Sequence, residues 1–150
     1  MLRGGSDGNA SVRVVADTNT VVSGLLWSGP PQKIINAARA KRITLFSSVA
    51  LTAEFAEVIV RDQFSIRIRA AGLSATELVA DYGRLANLVI PADINPVVAG
   101  DPDDDQVLAC ALAARAELII SGDKGLRNLK TYQGIPIVGA AAALERIARL

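Results

Sequence analysis

The chain has no histidine and one cysteine among 150 residues, and these two absences remove a large share of protein chemistry. Without histidine there is no Ser-His-Asp or Cys-His arrangement, no paired-imidazole acid–base chemistry and no histidine-ligated zinc. The single cysteine, Cys110, excludes a disulfide framework and a thiolate metal cage. It lies in the apolar run Val107-Leu108-Ala109-Cys110-Ala111-Leu112, where it reads as a small buried hydrophobe, and this usage fits a reducing, cytoplasmic location. No stretch approaches the roughly 20 apolar residues of a membrane span, and Met1 to Ser6 carries no hydrophobic signal core, so no membrane role is expected. Neither sign of charge is in excess: 16 basic and 15 acidic residues give a net charge of +1. A nucleic-acid partner therefore has to be read from local clusters rather than from bulk charge. Any catalysis falls to carboxylates, lysines, hydroxyls or a hard metal ion.

What is present is an ordinary core. Apolar residues make up 51% of the sequence, enough at this length for one domain without disulfide support. Residues 1–11 read as a flexible leader and residues 12–150 as the domain. Val12 to Ala16, Ile43 to Phe46, Leu88 to Ile90, Leu118 to Ile120 and Ile135 to Val138 are short β-branched runs and read as strands. Helices are expected from Pro31 to Ala40, with proline at the start where a missing N–H costs nothing, and from Leu51 to Val60. A third begins at the capping box Ser74…Glu77, a fourth runs to about Arg115, and a short one and an amphipathic one, from Ala141 to Leu150, follow. Phe64-Ser65-Ile66-Arg67-Ile68-Arg69 alternates like a strand and reads as an elbow between helices. Strands buried on both faces and alternating with helices predict an α/β fold, a central parallel sheet flanked by helices.

The acidic residues are distributed in a telling way. Asp17 follows the first strand and Asp123 follows Leu118-Ile119-Ile120 by two residues, so both reach the rim at which open parallel sheets bind ligands. Asp103-Asp104-Asp105 opens a helix, where helix capping is the plain alternative. Glu54 and Glu57 lie one helical turn apart, and Asp123 before Lys124-Gly125 suits a turn as well. Asp17 has the least ordinary explanation, because a charge directly after a buried strand must be paired or neutralised. Carboxylates brought together repel and take up protons unless a cation neutralises them. Oxygen-only ligation suits Mg²⁺ or Mn²⁺, which also bind phosphate oxygens, so phosphodiester hydrolysis is the reaction that best uses such a cluster.

Four stretches carry a family resemblance. They are Asp17-Thr18-Asn19 with Val21-Val22-Ser23-Gly24-Leu25-Leu26; Ala53-Glu54-Phe55-Ala56-Glu57-Val58-Ile59 followed by Arg61; Asp101-Pro102-Asp103-Asp104-Asp105-Gln106-Val107-Leu108-Ala109; and Ile119-Ile120-Ser121-Gly122-Asp123-Lys124-Gly125-Leu126. In this order and spacing, from about Val12 to Leu150, the chain resembles the PIN-domain nucleases, and among them the VapC-like toxins of bacterial toxin–antitoxin systems. The resemblance implies a Rossmann-like sheet and an endoribonuclease site using Mg²⁺ or Mn²⁺. By motif position Asp17 and Glu54 match the first two metal ligands. Asp105, four residues before Ala109, matches the third, with Asp104 its nearest rival, and Asp123 matches the fourth, acting through water. Asn19, Ser121 and Asp104 are then expected to orient carboxylates or waters. The helix start Gly139-Ala140-Ala141-Ala142 departs from the family's more polar, proline-containing pattern.

The same resemblance implies RNA as substrate, an antitoxin protein as a possible partner and a homodimer. RNA needs a basic track, for which Arg61, Arg67 and Arg69, and Lys124, Arg127 and Lys130, are candidates, Arg61, Lys124 and Arg127 foremost. Trp27 is a candidate base platform, although a loop anchor explains it equally. Two other readings differ in class. A phosphotransfer domain shares the aspartate after the first strand, but the dehalogenase-type acid two residues on is replaced by Asn19. A catalytically silent PIN-fold module for RNA or protein binding needs none of the four carboxylates.

Overall fold

The computed structural model describes residues 11–98 and 101–149. Apart from Ser11, the expected leader lies outside the described residues. The chain forms β1 (Val12–Ala16), α1 (Thr18–Leu26), α2 (Pro30–Arg39), β2 (Ile43–Ser47), α3 (Val49–Ile59), α4 (Asp62–Ala70) and α5 (Ala75–Leu85). There follow β3 (Asn87–Leu88), α6 (Pro102–Ala114), β4 (Leu118–Ile120), α7 (Lys124–Arg127), β5 (Thr131–Tyr132), β6 (Ile135–Val138) and α8 (Ala140–Ala148).

The fold is α/β, as expected, with one sheet in the order β3-β2-β1-β4-β6-β5. All neighbours are parallel except β5, which returns antiparallel on β6. Alternation along the strands sends residues to two cores. Val12, Val14, Ala16, Leu45, Leu118 and Ile120 meet α1, α2 and the α3–α5 helices through Ile34, Phe55, Ile59, Phe64, Ile68 and Tyr82. Val15, Phe46, Ile119 and Ile137 point the other way, onto Val107, Leu108, Cys110 and Ala111 of α6 and Leu126 of α7. Near-continuous apolar strands are what a sheet covered on both faces requires. Cys110 is buried and unpaired, as its apolar setting predicts. Gly24 lets α1 and α2 close together: a Cβ there would lie 2.5 Å from Ile35 Cγ1 and 2.7 Å from the Pro31 carbonyl oxygen.

This topology positions the site. From β1 the chain turns to β2 on one side, and β4 fills the other side only after four further helices. The strand order therefore reverses between β1 and β4, and a crevice opens at their carboxyl ends. Asp17 and Ser121 are the residues that leave those two strands.

Two local expectations need correction, and one helix is an addition. Phe64–Arg69 is not an elbow but the body of α4. Phe64 and Ile68, four apart, are its buried residues, so helical period prevails over the apparent alternation. Thr18–Leu26, rich in β-branched residues, is a helix because Asp17 caps it. Of Leu88 to Ile90 only Leu88 joins the ladder, together with Asn87, and Ile90 is 90% exposed at the sheet edge. A small hairpin, β5 to β6, also emerges, closed by Gln133 and Gly134, both at positive φ, as a tight two-residue turn requires. Among the described residues no helix is long and apolar enough to cross a membrane.

Candidate active site

Asp17 is fixed from both sides. Its backbone N–H continues the β1–β4 ladder by donating to the Ile120 carbonyl at 3.0 Å. The chain then turns into α1, and Oδ1 accepts from the Thr20 N–H at 2.9 Å as the helix cap. Oδ2 accepts from the Ser121 hydroxyl at 2.5 Å. With 7% of its surface exposed, Asp17 is held at the crevice with little freedom to turn. Ser121, fully buried, bridges two acidic residues: its Oγ donates to Asp17 and accepts from the backbone N–H of Asp123 at 2.9 Å. Asp123 in turn caps α7, its Oδ2 accepting from Leu126 N–H at 2.9 Å.

The third acidic run has divided its labour along the helix. Asp101, not Asp103, is the cap of α6, accepting from Asp104 N–H at 3.1 Å. Asp104 is turned inward and buried, and its Oδ2 has no hydrogen-bond partner among the described residues. A Cβ on Gly125 would lie 2.9 Å from Asp123 Oδ2 and 3.5 Å from Asp104 Oδ2, so both carboxylates crowd one bare α-carbon. Burial, then the hydrogen bond and the charge of Asp123, push the Asp104 carboxyl up to about 8. Without a cation Asp104 holds a proton at neutral pH. Asp103 is exposed and faces Glu54.

Glu54 stands on the second turn of α3, whose start is capped by Ser48. It accepts from the Thr18 hydroxyl at 2.5 Å. Its carboxyl is raised above the usual range, first by burial and further by the charges of Asp103 and Asp17, against the opposing Thr18 bond.

The expected residues thus separate. Asp17, Glu54 and Asp123 converge on the crevice, and Ser121 links two of them. Asp105 does not join them. Its Oδ1 accepts from the backbone N–H groups of Val97 and Val98 at 3.0 and 2.9 Å, one helical position round from Asp104, and Asp104 occupies the place expected of it. Glu57 and Asn19 are exposed; it is Thr18, beside Asn19, that orients a carboxylate. Its hydroxyl lies in the Asp17-Thr18-Asn19 motif, but nothing in the spacing announces a partner 36 residues away. Arg61, Lys124 and Arg127 are exposed, Arg61 at the start of α4 and the other two on α7. Arg67 is committed to structure, donating to the Leu26 carbonyl at 2.6 Å and lying 5.7 Å from the Trp27 ring centroid. Trp27 also packs edge-on against Phe64, as a loop anchor does.

Among the described residues no group of three or more His, Cys, Asp or Glu side chains lies close enough to hold one ion. The carboxylates share a rim without forming a finished cage. The fit of a divalent cation rests instead on Asp104. A buried carboxylate oxygen with no donor among the described residues, pressed towards a second carboxylate, costs at least about 1–3 kcal/mol until something positive meets it. Donors that are all oxygen match Mg²⁺ or Mn²⁺.

The fold and site define an α/β domain with acidic residues gathered beyond the strand ends at the switch point of a mostly parallel sheet. The PIN domain sequence profile matches residues 13–125, and the chain belongs to that family. No curated protein matches the sequence. PIN domains are usually nucleases and generally use divalent metal ions.

Proposed function

We propose that the protein is a divalent-metal-dependent endoribonuclease, and that Asp17, Glu54, Asp104 and Asp123 hold Mg²⁺ or Mn²⁺. The observation that carries this reading is Asp104, buried and with one oxygen unpartnered among the described residues, crowded against the half-buried Asp123 at the sheet's switch point. A fold retained only for binding gains nothing from that cost. When bound, the ion supplies charge neutralisation for a phosphodiester and acidifies water for attack on it.

The chain's own residues do the rest. Ser121 keeps Asp17 oriented and ties the Asp123 backbone to it. Thr18 presents Glu54. Asp104 would have to give up its proton to hold a cation, so binding is favoured at higher pH. Gly125 leaves the space between Asp104 and Asp123 open. Arg61, Lys124 and Arg127 offer contacts to flanking phosphates, which confer affinity without sequence preference.

RNA as the substrate, a toxin role with a cognate antitoxin, a homodimeric state and a cytoplasmic setting follow from the resemblance and belong to the same proposal. The test is cleavage of pooled RNA in Mg²⁺ or Mn²⁺, with Asp17→Asn as the control for contaminating nuclease. Cleavage that needs the ion and disappears in the variant supports the reading. Cleavage that persists in the variant, or RNA binding with no cleavage by the wild type, favours the silent binding module.

A further inference from the structure

Asp105 has an occupation that its neighbours do not share. One oxygen, Oδ1, accepts two successive backbone N–H groups, those of Val97 and Val98. Bonds to an ionised acceptor are about twice as strong as neutral ones, and two of them fix both position and direction of a segment without regular structure. The same segment is tied again by Asp101 N–H to the Val98 carbonyl at 3.1 Å. Further back, Ala92 N–H bonds the Ala109 carbonyl in the middle of α6 at 3.1 Å.

These ties determine where the Val98 side chain goes. Its Cγ1 lies 3.7 Å from the point a Cβ of Gly125 would occupy, and Asp104 Oδ2 and Asp123 Oδ2 lie 3.5 and 2.9 Å from that point. A methyl group and two carboxylate oxygens therefore enclose one small space. Val98 is partly buried against the α6 core, so it is a wall rather than a free tip. An apolar group here keeps water from one side of Asp104 and offers a substrate strand a surface for a sugar or a base, not for a phosphate.

We infer that Asp105 is a positioning residue, whose carboxylate holds Val97 and Val98 so that Val98 walls the acidic site and sets how the substrate strand meets Asp104 and Asp123. This rests on the nuclease reading above. A role as metal ligand and a role as loop anchor make opposite demands on the side chain. A ligand needs the charge, whereas an anchor needs only an acceptor oxygen, which asparagine retains.

The experiment compares Asp105→Asn, Asp105→Ala and Val98→Ala in the full chain by three readouts. Amide hydrogen exchange reads the anchor, the rise in Tm with Mn²⁺ reads ion binding, and kcat/KM on RNA reads the site. In Asp105→Ala the Val97 and Val98 amides lose protection, kcat/KM falls on the order of tenfold to a hundredfold, and the Mn²⁺ shift survives. Asp105→Asn keeps amide protection and most of the activity. Val98→Ala, which removes the wall and not the anchor, lowers kcat/KM with both amides still protected. Loss of the Mn²⁺ shift in Asp105→Asn overturns the inference by making Asp105 a ligand. So does unchanged protection, or unchanged kcat/KM, in Asp105→Ala. If Asp105→Ala does not fold, the Asn and Val98 variants decide the matter alone. A wild type that neither cleaves RNA nor responds to Mn²⁺ refutes the nuclease reading instead, and amide exchange still tests the anchor.

Discussion

Replacing Asp104 by asparagine is expected to stabilise the metal-free protein and to abolish its activity. The side chain is 9% exposed, its Oδ2 has no partner, and Asp123 crowds it. These surroundings raise its carboxyl from 3.8 to about 8. At pH 7 the folded state keeps a proton that the unfolded chain releases. Each unit of separation below the working pH is worth about 1.4 kcal/mol, which bounds the cost at about 4 kcal/mol. Side-chain rearrangement and water entry reduce this to about 1–2 kcal/mol. The sign follows from the proton count: the folded state binds more protons, so stability falls as pH rises from the ordinary aspartate range towards 8. An uncharged amide of the same shape needs no proton uptake and can donate to Asp123. Thermal unfolding in EDTA at pH 5, 7 and 8 is therefore expected to show Asp104→Asn above wild type by about 3–6 °C at pH 7, with a smaller gap at pH 5. Added Mn²⁺ narrows or reverses the gap, because only the wild type gains from the ion. A variant no more stable than wild type at any pH, or a gap that shrinks as pH rises, refutes the reasoning.

Gly125→Ala is expected to lower Mn²⁺-dependent cleavage more than about tenfold while costing only about 0.5–1 kcal/mol of stability, since the new methyl displaces the Asp123 carboxylate that caps α7 rather than backbone. Gly24→Ala has the opposite profile, because its Cβ meets the Pro31 backbone as well as Ile35; urea unfolding is expected to show a loss of about 1–3 kcal/mol. Asp81 is held below the usual carboxylate range, first by its hydrogen bond from Arg39 and also by the charges of Arg39 and Arg84. Its contribution is present above the ordinary aspartate pKa and disappears as pH falls through the lowered value. At this partly exposed site Asp81→Asn is expected to cost about 0.5–1 kcal/mol at pH 7, less at high salt, and almost nothing near pH 2 in a pH series of urea titrations.

Much of the fold was legible because burial on both sheet faces writes itself into the strands. Val14-Val15-Ala16 and Leu118-Ile119-Ile120 are apolar without interruption and lead straight to Asp17 and Ser121. The capping box at Ser74 and the proline at the start of α2 were equally plain. The α4 segment was not, because Phe64, Ile66 and Ile68 satisfy period 2 as well as Phe64 and Ile68 satisfy one helical turn. Only the core waiting on one side decides between them, and Ile66 is left 76% exposed. Glu54 over Glu57 rests on motif position, and Glu54 is the less exposed of the two. That Asp104 and not Asp105 turns inward was not readable, since adjacent residues differ by about 100° of helix rotation and the phase of α6 is set by Leu108 and Ala111 against the sheet. The hydrogen bonds that orient the site, Ser121 to Asp17 and Thr18 to Glu54, span 104 and 36 residues. They arise from strand adjacency and helix packing, which no local pattern records.

Cleavage of pooled RNA in Mn²⁺ by the wild type and by Asp104→Asn, each repeated in EDTA, tests the central claim most directly. The account predicts ion-dependent cleavage by the wild type, none in EDTA, and none by a variant that is folded and more stable. Cleavage by Asp104→Asn at the wild-type rate would contradict it.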